Sequence, residues 1–150
     1  MIKAYLDTNI FLTYLNVETS NSELVIELAD QGAYAAVVSF HTINELMHNI
    51  KSRYPKNVAG WMFAFLWSIQ GIRFVQKEEI DALKSLYSDL ITDVDDAPHI
   101  HAYFAHECDY FVTTDRRLTE MRIREKVDFR SPKSFLHVLG VEGYDTVGGV

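Results

Sequence analysis

The chain has 150 residues, the size of one ordinary domain, and its 48% hydrophobic content supports a sizeable core and argues against intrinsic disorder. Its one cysteine, Cys108, excludes an intramolecular disulfide and fits a reducing compartment. A net charge of −7 argues against general attraction to nucleic acid, although the distribution of charge matters more than its sum.

The opening MIKAYLDTN carries an acid at position 7 and no long apolar run, so no secretory signal is expected. Ile2–Leu6 reads as a short strand. Ser20-x-x-Glu23 is a capping box that opens a helix ending near Gly32. Ala35–Ser39 (AAVVS) is a second strand. Ile43, Leu46, Met47 and Ile50 then follow the i, i+3, i+4, i+7 spacing of an amphipathic helix. Asn57–Ile69 reads as a helix that is apolar nearly all round. Its core, Trp61–Trp67 (WMFAFLW), is far short of the roughly 20 residues that cross a bilayer. A cytoplasmic protein without membrane partners is therefore expected.

Ile72–Val75 (IRFV) is a third strand, and Glu78–Ile91 reads as an amphipathic helix with Ile80, Leu83, Leu86, Tyr87, Leu90 and Ile91 apolar. Ala97, Ile100, Phe104, Ala105 and Cys108 mark one face of a further helix. Tyr110–Thr113 (YFVT) is a fourth strand and Val127–Phe129 a weak fifth. Ser131-Pro132 supplies an N-cap with proline at the first helical position, opening a last helix to Leu139. Residues 140–150 read as a tail beyond a single domain, 1–139. Strands separated by helices imply a mainly parallel sheet covered on both faces, with functional sites beyond the carboxyl ends of its strands.

Two acids fall at that edge. Asp7 ends the first strand and Asp115 the fourth (FVTTD). Glu45 lies on the helix after the second strand, off its apolar face. Asp96 sits at the start of the helix before the fourth strand, with Asp95 competing for its role. Convergent carboxylates repel, and a hard divalent cation such as Mg²⁺ or Mn²⁺ removes that conflict and activates water against a phosphate. Each acid also has an ordinary explanation: an Asx-turn for Asp7 with Asn9, a Thr42-x-x-Glu45 capping box, a helix cap for Asp96, a turn for Asp115. The case for a site rests on all four together.

These segments resemble the PIN-domain family, and within it VapC-like toxins of toxin–antitoxin pairs. The matching stretches are YLDTNIF, TINEL, DDAPHIHAYFAHECDYFVTTD and DFRSPKSFL, over residues 1–139. The resemblance implies a Rossmann-like three-layer α/β sandwich and a metal-dependent endoribonuclease. Its acidic quartet would be Asp7, Glu45, Asp96 and Asp115, assisted by Asn9 and Thr113, with Mg²⁺ or Mn²⁺ as cofactor. It also implies an RNA substrate, an antitoxin partner and a homodimer. His99 and His101 depart from the small or apolar residues of many toxin members.

Half of the 14 Lys and Arg fall between residues 116 and 133: Arg116, Arg117, Arg122, Arg124, Lys126, Arg130 and Lys133. Arg116, Arg117, Arg122 and Arg124 are the expected RNA-backbone contacts, with a solvated loop as the alternative. The Trp61–Trp67 segment is either a partner surface or a buried helix. His41, His48, His99 and His101 could assist at the mouth of the cleft, with positions in solvent or satisfied in the core as the favoured alternative. Three rival readings remain. Glu45-x-x-His48 and Asp96-x-x-His99 could bind iron in a helical bundle, but AAVVS, IRFV and YFVTT make poor helices. A phosphoryl-transfer fold with an Asp nucleophile lacks its further acid and lysine. A PIN-like module that binds RNA without cutting it is the non-enzymatic alternative.

Overall fold

The computed structural model describes residues 1–146. Five strands form one sheet: β1 (Lys3–Leu6), β2 (Ala35–Ser39), β3 (Ile72–Val75), β4 (Tyr110–Val112) and β5 (Phe129–Arg130). Their order is β3-β2-β1-β4-β5 and every pairing is parallel, so the mainly parallel expectation becomes wholly parallel. The order reverses between β1 and β4. That switch point is where ligands bind in open α/β sheets.

The pleat sends alternate side chains to opposite faces and builds two cores. Ala4 and Leu6 of β1, Ala36 and Val38 of β2 and Val112 of β4 enter the larger one. There they meet α1 (Thr8–Asn16), α2 (Asn21–Asp30), α3 (Phe40–Arg53), α4 (Lys56–Ser68) and α8 (Pro132–Val138). Tyr5, Val37 and Phe111 enter the other, with Ile80 of α5 (Lys77–Asp81), Ile100 and Tyr103 of α6 (Ala97–Ala105) and Leu118 of α7 (Arg116–Thr119). Each fully buried Leu, Ile or Phe contributes about 1.5–3 kcal/mol through its removal from water.

Local chemistry sets the helix ends. Ser20, Ser39 and Ser131 cap α2, α3 and α8, their hydroxyls accepting from the amides of Glu23, Thr42 and Ser134, each at 3.1 Å. The cap of α3 is therefore Ser39, and Glu45 is released from a capping role. Gly32, after α2, takes φ 75°, the left-handed conformation that glycine accepts without strain. Gly71 packs where a Cβ would stand 2.4 Å from the Tyr34 carbonyl oxygen, so no larger residue fits there.

Three expectations are corrected. The expected helix Glu78–Ile91 stops at Asp81, with a 3₁₀ turn at Ser88–Leu90. Tyr87 sits at φ 53°, and the Leu86 carbonyl lies 3.0 Å from His101 Nε2, so the ring serves an oxygen that a longer helix would bond internally. Helix α1 appears where no helix is expected. The fifth strand is Phe129–Arg130, which shares only Phe129 with the expected Val127–Phe129. Residues 141–146 form no helix or strand. They are held at the start of α2 and at α8, with Tyr144 N donating to Asn21 Oδ1 at 2.7 Å and Lys133 pairing with Asp145 at 2.7 Å. No helix among the described residues is long and apolar enough to cross a membrane.

Candidate active site

Asp7 stands at the carboxyl end of β1 and caps α1. Its Oδ1 accepts from the Thr8 amide and its Oδ2 from Thr113 Oγ1, both at 2.8 Å. Thr113 directly follows β4, so the second bond crosses the switch point. Thr113 Oγ1 also accepts from the Asp115 amide at 3.0 Å, which fixes the turn presenting Asp115. Asp115 caps α7, accepting from the Arg117 amide at 3.0 Å.

Glu45, on α3, reaches toward the same edge. Its Oε2 accepts from Thr8 Oγ1 at 2.8 Å, and its Oε1 lies 2.9 Å from His99 Nε2. His99 is only 5% exposed. Its Nδ1 meets the Tyr5 hydroxyl, which lies 2.9 Å from both Ser39 Oγ and Thr42 Oγ1. A buried chain of polar groups thus runs from the sheet to the Glu45 carboxylate, every link carrying a partner as buried polar groups require.

Asp96 precedes α6 but makes no side-chain cap. Its carboxylate turns to Arg117, with Nη2 donating to Oδ1 at 3.2 Å. The buried Oδ2 lies 3.0 Å from Arg117 Nη1 but off the N–H axis, so it has an ion contact without a hydrogen bond. The same guanidinium reaches Asp115 Oδ2 at 3.1 Å and Asp93 Oδ2 at 3.4 Å. Arg117 therefore bridges three of the acids.

These environments push the carboxyls apart. Burial raises Asp7 above the ordinary carboxyl range, outweighing the pull of His99 and its hydrogen bonds. Burial also presses Glu45 upward, but the His99 contact, assisted by Thr8 and His41, overcomes it and holds this carboxyl low. Burial raises Asp96 too, against the opposing effect of Arg117. For His99, burial favours the neutral ring, yet the Glu45 hydrogen bond and the charges of Asp7, Glu45 and Asp96 prevail and raise it. Paired carboxyls driven in opposite directions are the usual basis for dividing acid, base and ligand roles.

The result is a cavity of about 440 Å³ lined by Asp7, Asn9, Glu45, Asp93, Asp95, Asp96 and Asp115, with His99, Asn49, Arg53 and Arg117 on its walls. A wider depression of about 520 Å³, including Tyr103, Arg124 and Phe129, holds none of the four expected acids. Convergence of acids at a switch point, not cavity size, makes the smaller one the candidate site.

Residues 3–117 match the PIN domain family. The chain belongs to that family. The PIN domain also shares its fold with solved structures. It is similar to VapBC2 from Rickettsia felis, in a structure bound to a promoter DNA fragment, with 14% identity over 87% of this chain and 98% of that one, TM-score 0.63. A toxin–antitoxin complex from Klebsiella pneumoniae gives 16% identity, coverage of 86% and 97%, and TM-score 0.60. VapC20 of Mycobacterium tuberculosis, described as a toxin cleaving the sarcin–ricin loop, gives 12% identity, coverage of 79% and 95%, and TM-score 0.56. No curated protein matches the chain.

Within this PIN domain, the four expected acids and Asn9 line one cavity, and Thr113 bonds Asp7 from behind. The expected RNA contacts separate. Arg117 lies in the cavity, whereas Arg124 donates to the Glu120 and Met121 carbonyls on another face. Arg116 and Arg122 are exposed and line neither. His99 and His101 are both core-satisfied, as expected of histidines here, but His99 also borders the cavity and holds Glu45. Asp93, crowded with Asp95 and Asp96 in the sequence, and Asn49, on the same side of α3 as Glu45, also line the cavity; Arg53 was not singled out by the sequence, although it follows Glu45 and Asn49 at i+8 and i+4 on one helical stripe.

Proposed function

We propose that this PIN domain is a divalent-metal-dependent endoribonuclease and the toxin of a toxin–antitoxin pair. The observation that carries the reading is the gathering of Asp7, Glu45, Asp96 and Asp115 in one cavity at the sheet's switch point. The toxin assignment draws on the family and on the toxin–antitoxin proteins that share the fold.

The donor set fits Mg²⁺ or Mn²⁺. It is all oxygen, and Asp96 has a buried oxygen without a hydrogen bond. No three His, Cys, Asp or Glu side chains among the described residues stand close enough to enclose an ion. Mg²⁺ needs no such cage, since it commonly keeps several waters and takes one or two carboxylates. Asp7, Asp96 and Asp115 would hold the metal directly or through water, and bound metal supplies an activated water and stabilises charge on the phosphate.

This chain's own groups divide the remaining work. Glu45, held ionised by His99, orients the attacking water opposite the leaving 3′-oxygen. Thr113 and the Thr8 amide fix both oxygens of Asp7 so that it cannot rotate away. Arg117, paired with Asp93, Asp96 and Asp115, balances the charge of the acid cluster.

The test is cleavage of a labelled single-stranded RNA panel in Mg²⁺, Mn²⁺ and EDTA, with analysis of the product ends. Metal-dependent cuts leaving 5′-phosphate and 3′-hydroxyl are expected of attack by water. Ends carrying 2′,3′-cyclic phosphate would overturn the mechanism, and RNA that binds without metal and stays intact would favour a non-catalytic PIN module.

A further inference from the structure

The 32 residues from Leu46 to Lys77 contain no Asp or Glu but five cations, Lys51, Arg53, Lys56, Arg73 and Lys77, in a chain of net charge −7. Both tryptophans of the chain also lie in this stretch. It folds as most of α3, then α4 and the edge strand β3.

Helix α4 turns Ala59, Met62 and Leu66 into the core and leaves Trp61, Phe63 and Trp67 about half exposed, at 52%, 44% and 57%. The rings form two ladders. Trp61 stacks on Phe65 (5.4 Å, 3°), which stacks on Tyr14 (5.3 Å, 2°). On the other side Phe63 meets Trp67 (6.1 Å), which packs on Phe74 of β3 (4.1 Å). A groove of about 400 Å³ runs along the second ladder, with Lys51 on its wall.

Cations here differ from most of those of residues 116–133. Lys51, Arg53 and Lys56 are exposed and have no ion pair or hydrogen bond from their side chains among the described residues. In the later cluster, Arg117 is spent on Asp93, Asp96 and Asp115, Arg130 on Asp128, Lys133 on Asp145, and Arg124 on backbone carbonyls. Three cations without such a partner therefore lie beside the aromatic ladders.

Continuity with the active site comes from α3. Met47 and Lys51 line the aromatic groove, while Glu45, Asn49 and Arg53 line the acidic cavity. Lys51 and Arg53, two residues apart on the last turn, face the two sides of a helix about 10–12 Å across. A few nucleotides of single strand span that distance.

Resting on the nuclease reading, we infer that the α3–α4 face is a binding track for single-stranded RNA leading into the acidic cavity. Bases stack on Trp67, Phe63 and Trp61, and phosphates contact Lys51, Arg53 and Lys56. Flat π faces flanked by free cations are the recurring means of holding single strands without sequence readout. An apolar partner would use the rings but has no use for three unpaired cations.

The two tryptophans are themselves the probe. Full-length Asp7→Asn protein in EDTA is titrated with a short mixed-sequence single-stranded RNA while tryptophan fluorescence is followed. The expected result is quenching with an affinity that falls with salt, at a log–log slope of about −2 for three phosphate contacts. Trp67→Leu weakens binding about tenfold and Trp67→Phe restores most of it. Lys51→Ala reduces the salt slope by about 0.7, and Lys84→Ala, at an exposed lysine that lines neither the groove nor the cavity, leaves binding unchanged.

RNA that binds without quenching, or equally well to Trp67→Leu and Lys51→Ala, overturns the inference. So does tryptophan emission already blue-shifted and shielded from soluble quencher in the free protein, which would mean a second copy or a protein partner covers the face. Parallel cleavage by the wild-type protein separates the two readings. RNA held at the tryptophans but never cut removes the nuclease and keeps the track; RNA cut with the tryptophans unperturbed does the reverse.

Discussion

Thr113 Oγ1 donates to Asp7 Oδ2 at 2.8 Å, joining the ends of the two strands between which the sheet order reverses. Both groups are buried, at 2% and 8% exposure, and the same hydroxyl anchors the Asp115 amide. One side chain thus sets the position of two acids. Thr113→Val keeps the shape and removes the hydroxyl, leaving a buried carboxylate oxygen without its donor. The expected cost is about 1–3 kcal/mol in urea unfolding, with Thr113→Ser near wild type. Equal stability of the valine variant would show that the bond does not hold Asp7.

Asp7→Asn separates activity from stability. Burial raises the Asp7 pKa in the folded protein, so folding favours its protonated form. A raised folded value contributes stability that is fully present below the unfolded carboxyl pKa and lost as pH rises through the folded value. At neutral pH the charge is therefore a burden, and the neutral amide relieves it. Thermal unfolding of Asp7→Asn is expected about a few degrees higher than wild type at pH 7, the difference shrinking in acid. A lower melting temperature at pH 7 would contradict the assigned environment.

Glu45 and His99 respond in the opposite sense. The Glu45 value is lowered, so its contribution is present above the unfolded Glu pKa and lost in acid. The His99 value is raised, so its contribution is present below the unfolded His pKa and lost as pH rises through the folded one. The charged pair exists in the window between. Wild type is expected to exceed Glu45→Gln in melting temperature by more at pH 6 than at pH 9. A pH-independent difference would mean that the imidazole is neutral throughout.

Much of this arrangement is legible in the sequence because it depends on local signals. Ala35–Ser39 and Ile72–Val75 are bounded by changes of hydrophobic pattern and fall where expected. The caps at Ser20 and Ser131 announce their helices. Asp7 and Asp115 were visible as the ends of apolar strands. Helix α1 was not, because Ile10, Phe11, Leu12, Tyr14 and Leu15 leave it little polar face to set a 3.6-residue period. The break after Asp81 depends on His101, fifteen residues past Leu86, and so has no local trace. The partners of His99 were equally hidden, since Tyr5 and Glu45 are 94 and 54 residues away.

Arg117 makes a further expectation possible. Removing it leaves Asp93, Asp96 and Asp115 facing one another without their shared counter-charge. Arg117→Ala is expected to melt lower than wild type in EDTA. Millimolar Mn²⁺ should raise its melting temperature by more than it raises that of wild type, because a ligand stabilises according to its affinity for the folded state. Identical Mn²⁺ responses in the two proteins would place the metal away from these acids.

Asp7 offers the most direct measurement: RNA cleavage in Mn²⁺ by wild type and Asp7→Asn, purified identically and shown to be folded by thermal unfolding. The account predicts cutting by wild type, abolished by EDTA, and a rate at least about 100-fold lower in the variant despite its undiminished stability. Equal cutting by both proteins would contradict it, because the cavity at the switch point would then not be where RNA is hydrolysed.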